Sequence, residues 1–105
     1  MRKNYKIRPE DIKNVAVGYG SCIATDMITV EGNKIGYAVR EEPSHKTDSG
    51  WVFMSGLESQ EYMDNAENMT IYDVNTIANY DPEIIKIIES PIGSQFEKDN
   101  SGKIY

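Results

Sequence analysis

One cysteine and one histidine are all that this 105-residue chain holds of the soft metal ligands and the commonest catalytic base. Cys22 alone excludes a disulfide framework, and together with His45 it falls two ligands short of a structural zinc site. Long apolar runs are missing as well. No stretch approaches the roughly 18 residues of a membrane helix, and the basic start MRKNYKIRPE leads into no apolar run of signal length. The default expectation is therefore a cytoplasmic chain with no membrane partner. Basic residues are scarce: 11 Lys and Arg stand against 17 Asp and Glu, for a net charge of −6. That balance argues against non-specific binding of nucleic acid and suits a basic partner instead.

What is present supports a core. Apolar residues make up 39% of the chain, with seven Tyr, two Phe and one Trp, which sets it apart from disordered compositions. At this length one compact domain is expected, since two cores would leave each half too small. The charge is unevenly spread. Residues 1–40 carry +3, whereas residues 41–105 carry −9.

Along the chain, 1–14 is polar and mixed in charge, with Pro9-Glu10-Asp11 able to start a short helix or to remain an arm. Ser21-Cys22-Ile23-Ala24-Thr25 reads as a short buried strand. Ile28 and Val30, then Ile35, Tyr37 and Val39, alternate on either side of Glu31-Gly32-Asn33-Lys34, which predicts a β-hairpin closed by Gly-Asn. A polar loop over 41–49 follows, then the aromatic, glycine-bounded run Gly50-Trp51-Val52-Phe53-Met54-Ser55-Gly56, which fits a central strand. Residues 58–64 turn helical and polar, and 69–72 suits one more short strand. Asp73 can cap a helix over 74–79 with Val74, Ile77 and Ala78 inward. Asp81-Pro82-Glu83 starts another, running through Ile84, Ile85, Ile87 and Ile88. A last short strand is expected over 94–97.

Candidate chemistry is thin. Cys22 sits in an apolar strand pattern with no basic neighbour to lower its pKa, which marks a structural thiol. His45 lies in a polar loop without an identifiable partner and reads as solvated. Gly18-Tyr19-Gly20 lacks the third glycine and the Lys-Ser/Thr pair of a phosphate loop, so a tight turn or bulge explains it better. Carboxylates are the only abundant reactive groups. Glu58, Glu61, Asp64, Glu67 and Asp73 lack the alternation and central glycine of a calcium loop, and Glu58, Glu61 and Asp64 at three-residue spacing share one side of a helix. They make either a solvated helix face or an acidic patch that steers a cationic partner. Tyr62, Tyr72, Tyr80 and Trp51 are interleaved with them and supply contact area at low entropy cost wherever they are exposed.

The segments from Ser21-Cys22-Ile23 to Arg40-Glu41-Glu42-Pro43 and Asp48-Ser49-Gly50-Trp51-Val52-Phe53-Met54-Ser55-Gly56 resemble a small bacterial family. Further blocks agree: Glu61-Tyr62-Met63-Asp64, the run over 71–85 that contains Asn75-Thr76-Ile77-Ala78-Asn79-Tyr80-Asp81-Pro82, and Ser90-Pro91-Ile92-Gly93-Ser94-Gln95-Phe96-Glu97. The resemblance runs from about Gly20 to Glu97 and is to an immunity-protein family of polymorphic toxin systems, family thirty-three. It implies a small cytoplasmic protein that binds and neutralises a cognate toxin, and it identifies no catalytic residue. Leu57 departs from the pattern, in which the serine-glycine turn more often continues with an acidic residue.

These readings predict an α+β fold: a single small domain whose antiparallel sheet is built around 21–25, 28–31, 34–40 and 50–55, with short helices of 58–88 packed largely on one side. Residues 1–19 form a peripheral arm, 20–97 the immunity-protein-like domain and 98–105 a tail. The expected role is non-enzymatic, with neither cofactor nor metal. A protein partner, a basic toxin domain, would bind an acidic, tyrosine-bearing surface of Glu58, Glu61, Tyr62, Asp64, Glu67 and Asp73. The alternative is a small-molecule or peptide-binding module with a pocket near Trp51 and the 41–49 loop.

Overall fold

A computed structural model of the chain describes residues 3–98. The expected tail lies outside them except for Lys98. Strand β1, Ser21–Thr25, forms where its apolar pattern predicts, with Cys22 and Ala24 buried and Ile23 facing the other way. It pairs with β3, Asp48–Met54, on one side and β4, Met69–Asp73, on the other. Strand β2, Tyr37–Arg40, pairs with the far edge of β3, and β5, Gln95–Glu97, closes the sheet. The order β4-β1-β3-β2-β5 puts the Trp51 strand at the centre, as its composition suggests.

Two sheet expectations need correction. The sheet is mixed, because β1 and β3 run parallel while the other three pairings are antiparallel. The predicted hairpin is absent: Asp26–Thr29 is a one-turn helix, α1, and the strand after it starts only at Tyr37. Ile28 and Thr29 are consecutive and both fully buried, which a half-buried strand cannot arrange but a helix can. Gly32 has φ +83° and ends the turn, while Asn33 stays at negative φ, so the two positive-φ residues of a tight hairpin turn are not there. The amides of Gly32 and Asn33 donate back to the carbonyls of Ile28 and Met27, at 3.1 and 3.0 Å. Glycine-asparagine here stops a helix, which draws on the same freedom at positive φ as a hairpin turn. The resulting crossover through α1 is what makes β1 and β3 parallel.

β3 also carries a bulge. Between the pairs Ser21–Asp48 and Ile23–Val52 it advances four residues while β1 advances two, and Gly50 sits there at φ +88°. A Cβ on Gly50 would lie 2.1 Å from the carbonyl oxygen of Glu41.

One sheet face is the core. Cys22, Ala24, Ala38, Trp51 and Phe53 point into it, with Trp51 and Phe53 stacked at 5.6 Å. The Trp51 indole donates to the Ile88 carbonyl at 3.1 Å, and the Arg40 guanidinium lies 5.9 Å from its ring centroid. Ile28 of α1 and Val74, Ile77 and Ala78 of α3, Val74–Tyr80, cover this layer. Asp73 caps α3 as expected, accepting from the Asn75 amide at 2.8 Å. The Asp81-Pro82 start is capped too, but it opens a 3-10 helix, Pro82–Lys86, and no α-helix to Ile88. Ile84 reaches the core from this element, and Ile87 and Ile88 reach it from the turn just past its end, where both amides donate back to the Ile84 carbonyl.

Residues 3–20 are tied to α3. Asn75 accepts from the amides of Val15 and Ala16 at 2.7 and 2.8 Å and donates to the Lys13 carbonyl at 2.9 Å; Asn79 bridges the same Lys13 backbone. The third helix, α2, Gln60–Met63, is capped by Ser59, and its Met63 lines hollows with Tyr37 and Met54 on the second sheet face.

Candidate functional site

The six sequence-selected residues divide by what they do in the fold. Glu58 is half-buried and committed: its carboxylate accepts from the Thr25 hydroxyl and from the amides of Ser55 and Gly56, each amide at 2.9 Å. Burial pushes its pKa up, but those donors outweigh burial and hold it below the usual glutamate range. Asp73 is exposed, yet its side chain is the cap of α3, and it lies at the far end of β4 from Met69. Glu61, Asp64 and Glu67 remain. Glu61 is in the first turn of α2, Asp64 is its C-cap, and Glu67 lies in the 3-10 turn Ala66–Asn68 just before β4. All three are exposed and none forms an ion pair among the described residues. Asp64 accepts from the Gln60 side-chain Nε2 at 2.9 Å.

Tyr62 is half-buried between that acidic edge and α1; burial, then the Asp26 carboxylate, raises its hydroxyl pKa. One cation reaches the neighbourhood. Lys3 donates to Asp26 at 2.9 Å, to the Glu67 carbonyl at 2.7 Å and to the Thr70 hydroxyl at 3.0 Å, so its charge is offset by Asp26 and leaves the Glu67 carboxylate free. Tyr72 and Tyr80 belong elsewhere: Tyr72 bonds Thr29 at 3.0 Å, and the Tyr80 hydroxyl accepts from the Ile7 amide at 3.2 Å. Together with Tyr5, Ile7, Pro9 and Ile12 they wall a hollow of about 340 Å³ under the arm.

The remaining candidates resolve into structure. Trp51 is 1% exposed with its indole nitrogen satisfied, so its ring walls no pocket; the hollow beside Glu41 and Glu42 opens on the opposite sheet face, over Val39 and Val52. The Cys22 thiol is buried, and burial followed by the charges of Asp73 and Asp48 pushes its pKa far up, the opposite of an activated nucleophile. His45 is exposed in the loop, 3.2 Å from the Thr47 hydroxyl. Gly18 and Gly20, both at positive φ, form the turn into β1. Among the described residues no group of three or more His, Cys, Asp or Glu side chains could hold a metal ion. No described helix is long and apolar enough to cross a membrane.

The second sheet face holds what sequence reading missed. Register places Ile71 beside Ile23, Ile23 beside Val52 and Val52 beside Val39, one row across four strands. Ile71 is 67% and Ile23 37% exposed, and Leu57 and Ile92 nearby are exposed as well. Only the register brings these residues together, since in sequence they lie in four separate segments.

No curated protein and no solved structure matches the chain. A family model does: the Immunity protein Imm33 domain matches residues 22–105, from within β1 to the last residue of the sequence. With most of its length inside that match, and with the motif blocks from Cys22 to Glu97 folded into one sheet-and-helix unit, the chain belongs to the Imm33 immunity-protein family.

Proposed function

We propose that the chain acts without catalysis, in the cytoplasm, by binding and covering a cognate toxin domain of basic character. The observation that carries this reading is the edge of exposed carboxylates Glu61, Asp64 and Glu67, free of ion pairs among the described residues and flanked by Tyr62. Unpaired charge along an exposed edge steers an oppositely charged partner and orients it, while Tyr62 adds contact area. Glu58 and Asp73 support the surface by holding the 55–59 turn and the start of α3 in place. A specific contact of this kind covers about 800 Å² on each side. Immunity by occlusion requires no nucleophile, which agrees with a buried, deactivated Cys22.

The test is growth rescue. The chain is co-expressed with toxin domains encoded in its own genome, as wild type and as the Glu61→Lys/Asp64→Lys double variant. Rescue by the wild type and its loss in the folded double variant are expected. If no toxin domain is neutralised, the immunity reading falls; if the double variant rescues equally well, the acidic edge is not the contact.

A further inference from the structure

The second face of the sheet is built unlike a solvated one. A sheet face in contact with water normally carries polar residues at outward positions. Here the outward positions of β4, β1, β3 and β2 in one register row are Ile71, Ile23, Val52 and Val39. With strands spaced about 4.8 Å apart, the row spans roughly 14 Å. On one side the row is bordered by α2, through Met63 and the exposed Leu57 of the preceding turn.

Carboxylates rim this row. Asp73 and Asp48 pair with Ser21, one register step beyond Ile23 and Ile71. Glu41 and Glu42 follow β2 beside Val39, Glu97 lies on β5, and the edge with Glu61 and Asp64 stands at α2. Asp48 is kept ionised by the amides of Ser44 and Gly50, at 2.8 and 2.9 Å. The nearby cations are largely spent: Arg40 donates to the carbonyls of Ser49 and Ser90 at 2.9 and 2.6 Å, Lys98 to Asp81 at 2.8 Å and Lys34 to the Tyr80 carbonyl at 3.0 Å. His45 and Lys46 in the exposed loop are the exceptions, with His45 sharing a small hollow with Ile23 and Ile71.

We propose that the Ile71, Ile23, Val52 and Val39 row is the apolar centre of the toxin contact, taking a partner surface whose own apolar patch is ringed by lysine and arginine. This rests on the partner-binding reading above and gives it a centre, with the acidic edge as rim. An apolar centre with a polar rim is the usual anatomy of a specific interface. Charge complementarity selects the occupant. A second copy would set one acidic rim against another on chains of net charge −6, and an anionic lipid surface would be repelled in the same way.

The experiment places a benzophenone amino acid at Ile71, and separately at Glu61, in cells of the source organism. The cross-linked protein is identified, purified and titrated against the wild type and the Ile23→Ser/Ile71→Ser variant. Adducts of the same protein from both positions are expected. The double variant should weaken binding roughly 30-fold or more while leaving the salt dependence of the wild type, because the rim is untouched. Val39→Thr, nearly isosteric, should weaken binding in the same direction without loss of fold. An adduct from Glu61 alone, or unchanged affinity in a variant whose Trp51 fluorescence reports a native core, overturns the sheet-face proposal and leaves the acidic-edge reading standing. An adduct from Ile71 to a second copy, or to residues 99–105 of the same chain, overturns it as well. No adduct from either position overturns both.

Discussion

Replacement of Asp81 by alanine tests how the two halves of the core are joined. Its side chain is 4% exposed, and its oxygens accept from the Ile35 amide at 3.0 Å, the Glu83 amide at 3.1 Å and the Lys98 ammonium at 2.8 Å. Loss of the cap on Pro82–Lys86 costs about 1 kcal/mol. The Ile35 amide is buried beside a fully buried side chain, and leaving it without a partner costs about 1–3 kcal/mol more. Lys98, 17% exposed, loses its counter-charge but has a route to water, which leaves Asp81→Ala at about 2–4 kcal/mol. Lys98→Met should cost less, because Asp81 keeps both amides. Urea unfolding followed by the fluorescence of Trp51, the single buried tryptophan, measures each variant, and the double variant closes the cycle. A loss below 1 kcal/mol for Asp81→Ala, or Lys98→Met proving the more damaging, would refute the assignment of Asp81 as the joint between the 3-10 helix and the entry to β2.

Gly50→Ala should be among the most damaging single-methyl changes, by more than about 2 kcal/mol, since the new Cβ meets the Glu41 oxygen and φ +88° is strained for any L side chain; a thermal melt showing wild-type stability would contradict the bulge. Glu58 and Asp48 both have lowered pKa values, from hydrogen bonds that outweigh the burial of Glu58 and from the Ser44 and Gly50 amides at Asp48. Their contribution is therefore complete above the ordinary carboxylate range of about 4 and is lost as pH falls through the lowered folded values. Glu58→Gln should accordingly flatten the acid limb of a stability profile and leave a smaller difference from the wild type at low pH than at neutral pH. Cys22 should stay unmodified by a water-soluble disulfide reagent in the native protein and react fully in urea; rapid native reaction would disprove its burial.

Local signals in the sequence translated into structure wherever the chemistry was local. Asp73 and Asp81 precede their helices as caps, Ser21–Thr25 and Met69–Asp73 are strands, and Val74, Ile77 and Ala78 face inward. The hairpin failed because Ile28 and Val30 alternate as a strand would, and it is the burial of Thr29 beside Ile28, with its hydroxyl on Tyr72, that marks the helix. The parallel β1–β3 pairing joins residues more than twenty positions apart and leaves no local trace. The candidate surface was half legible. Glu61 and Asp64 stand exposed at their helical spacing, whereas Glu58 turns inward because Thr25, distant in sequence, offers it a hydroxyl.

An acidic composition does not by itself make an acidic surface. Asp81 is buried against Lys98 and two amides, Glu58 closes a turn, Asp26 holds Lys3, and Asp48 and Asp73 fasten the loop and the helix at one end of the sheet. Each of these carboxylates stabilises the geometry in which it sits, and Asp48 and Asp73 still project their charge beside the aliphatic row. Glu61, Asp64, Glu67, Glu41 and Glu42, by contrast, form no ion pair among the described residues and stand on turns, loops and a one-turn helix around a five-stranded sheet. Strand pairing keeps a sheet face more rigid than the loops at its margin. A partner that docks on the face and is steered by the margin would lose little entropy ordering its contact, which is the physical advantage of placing apolar residues on the sheet and charges at its rim.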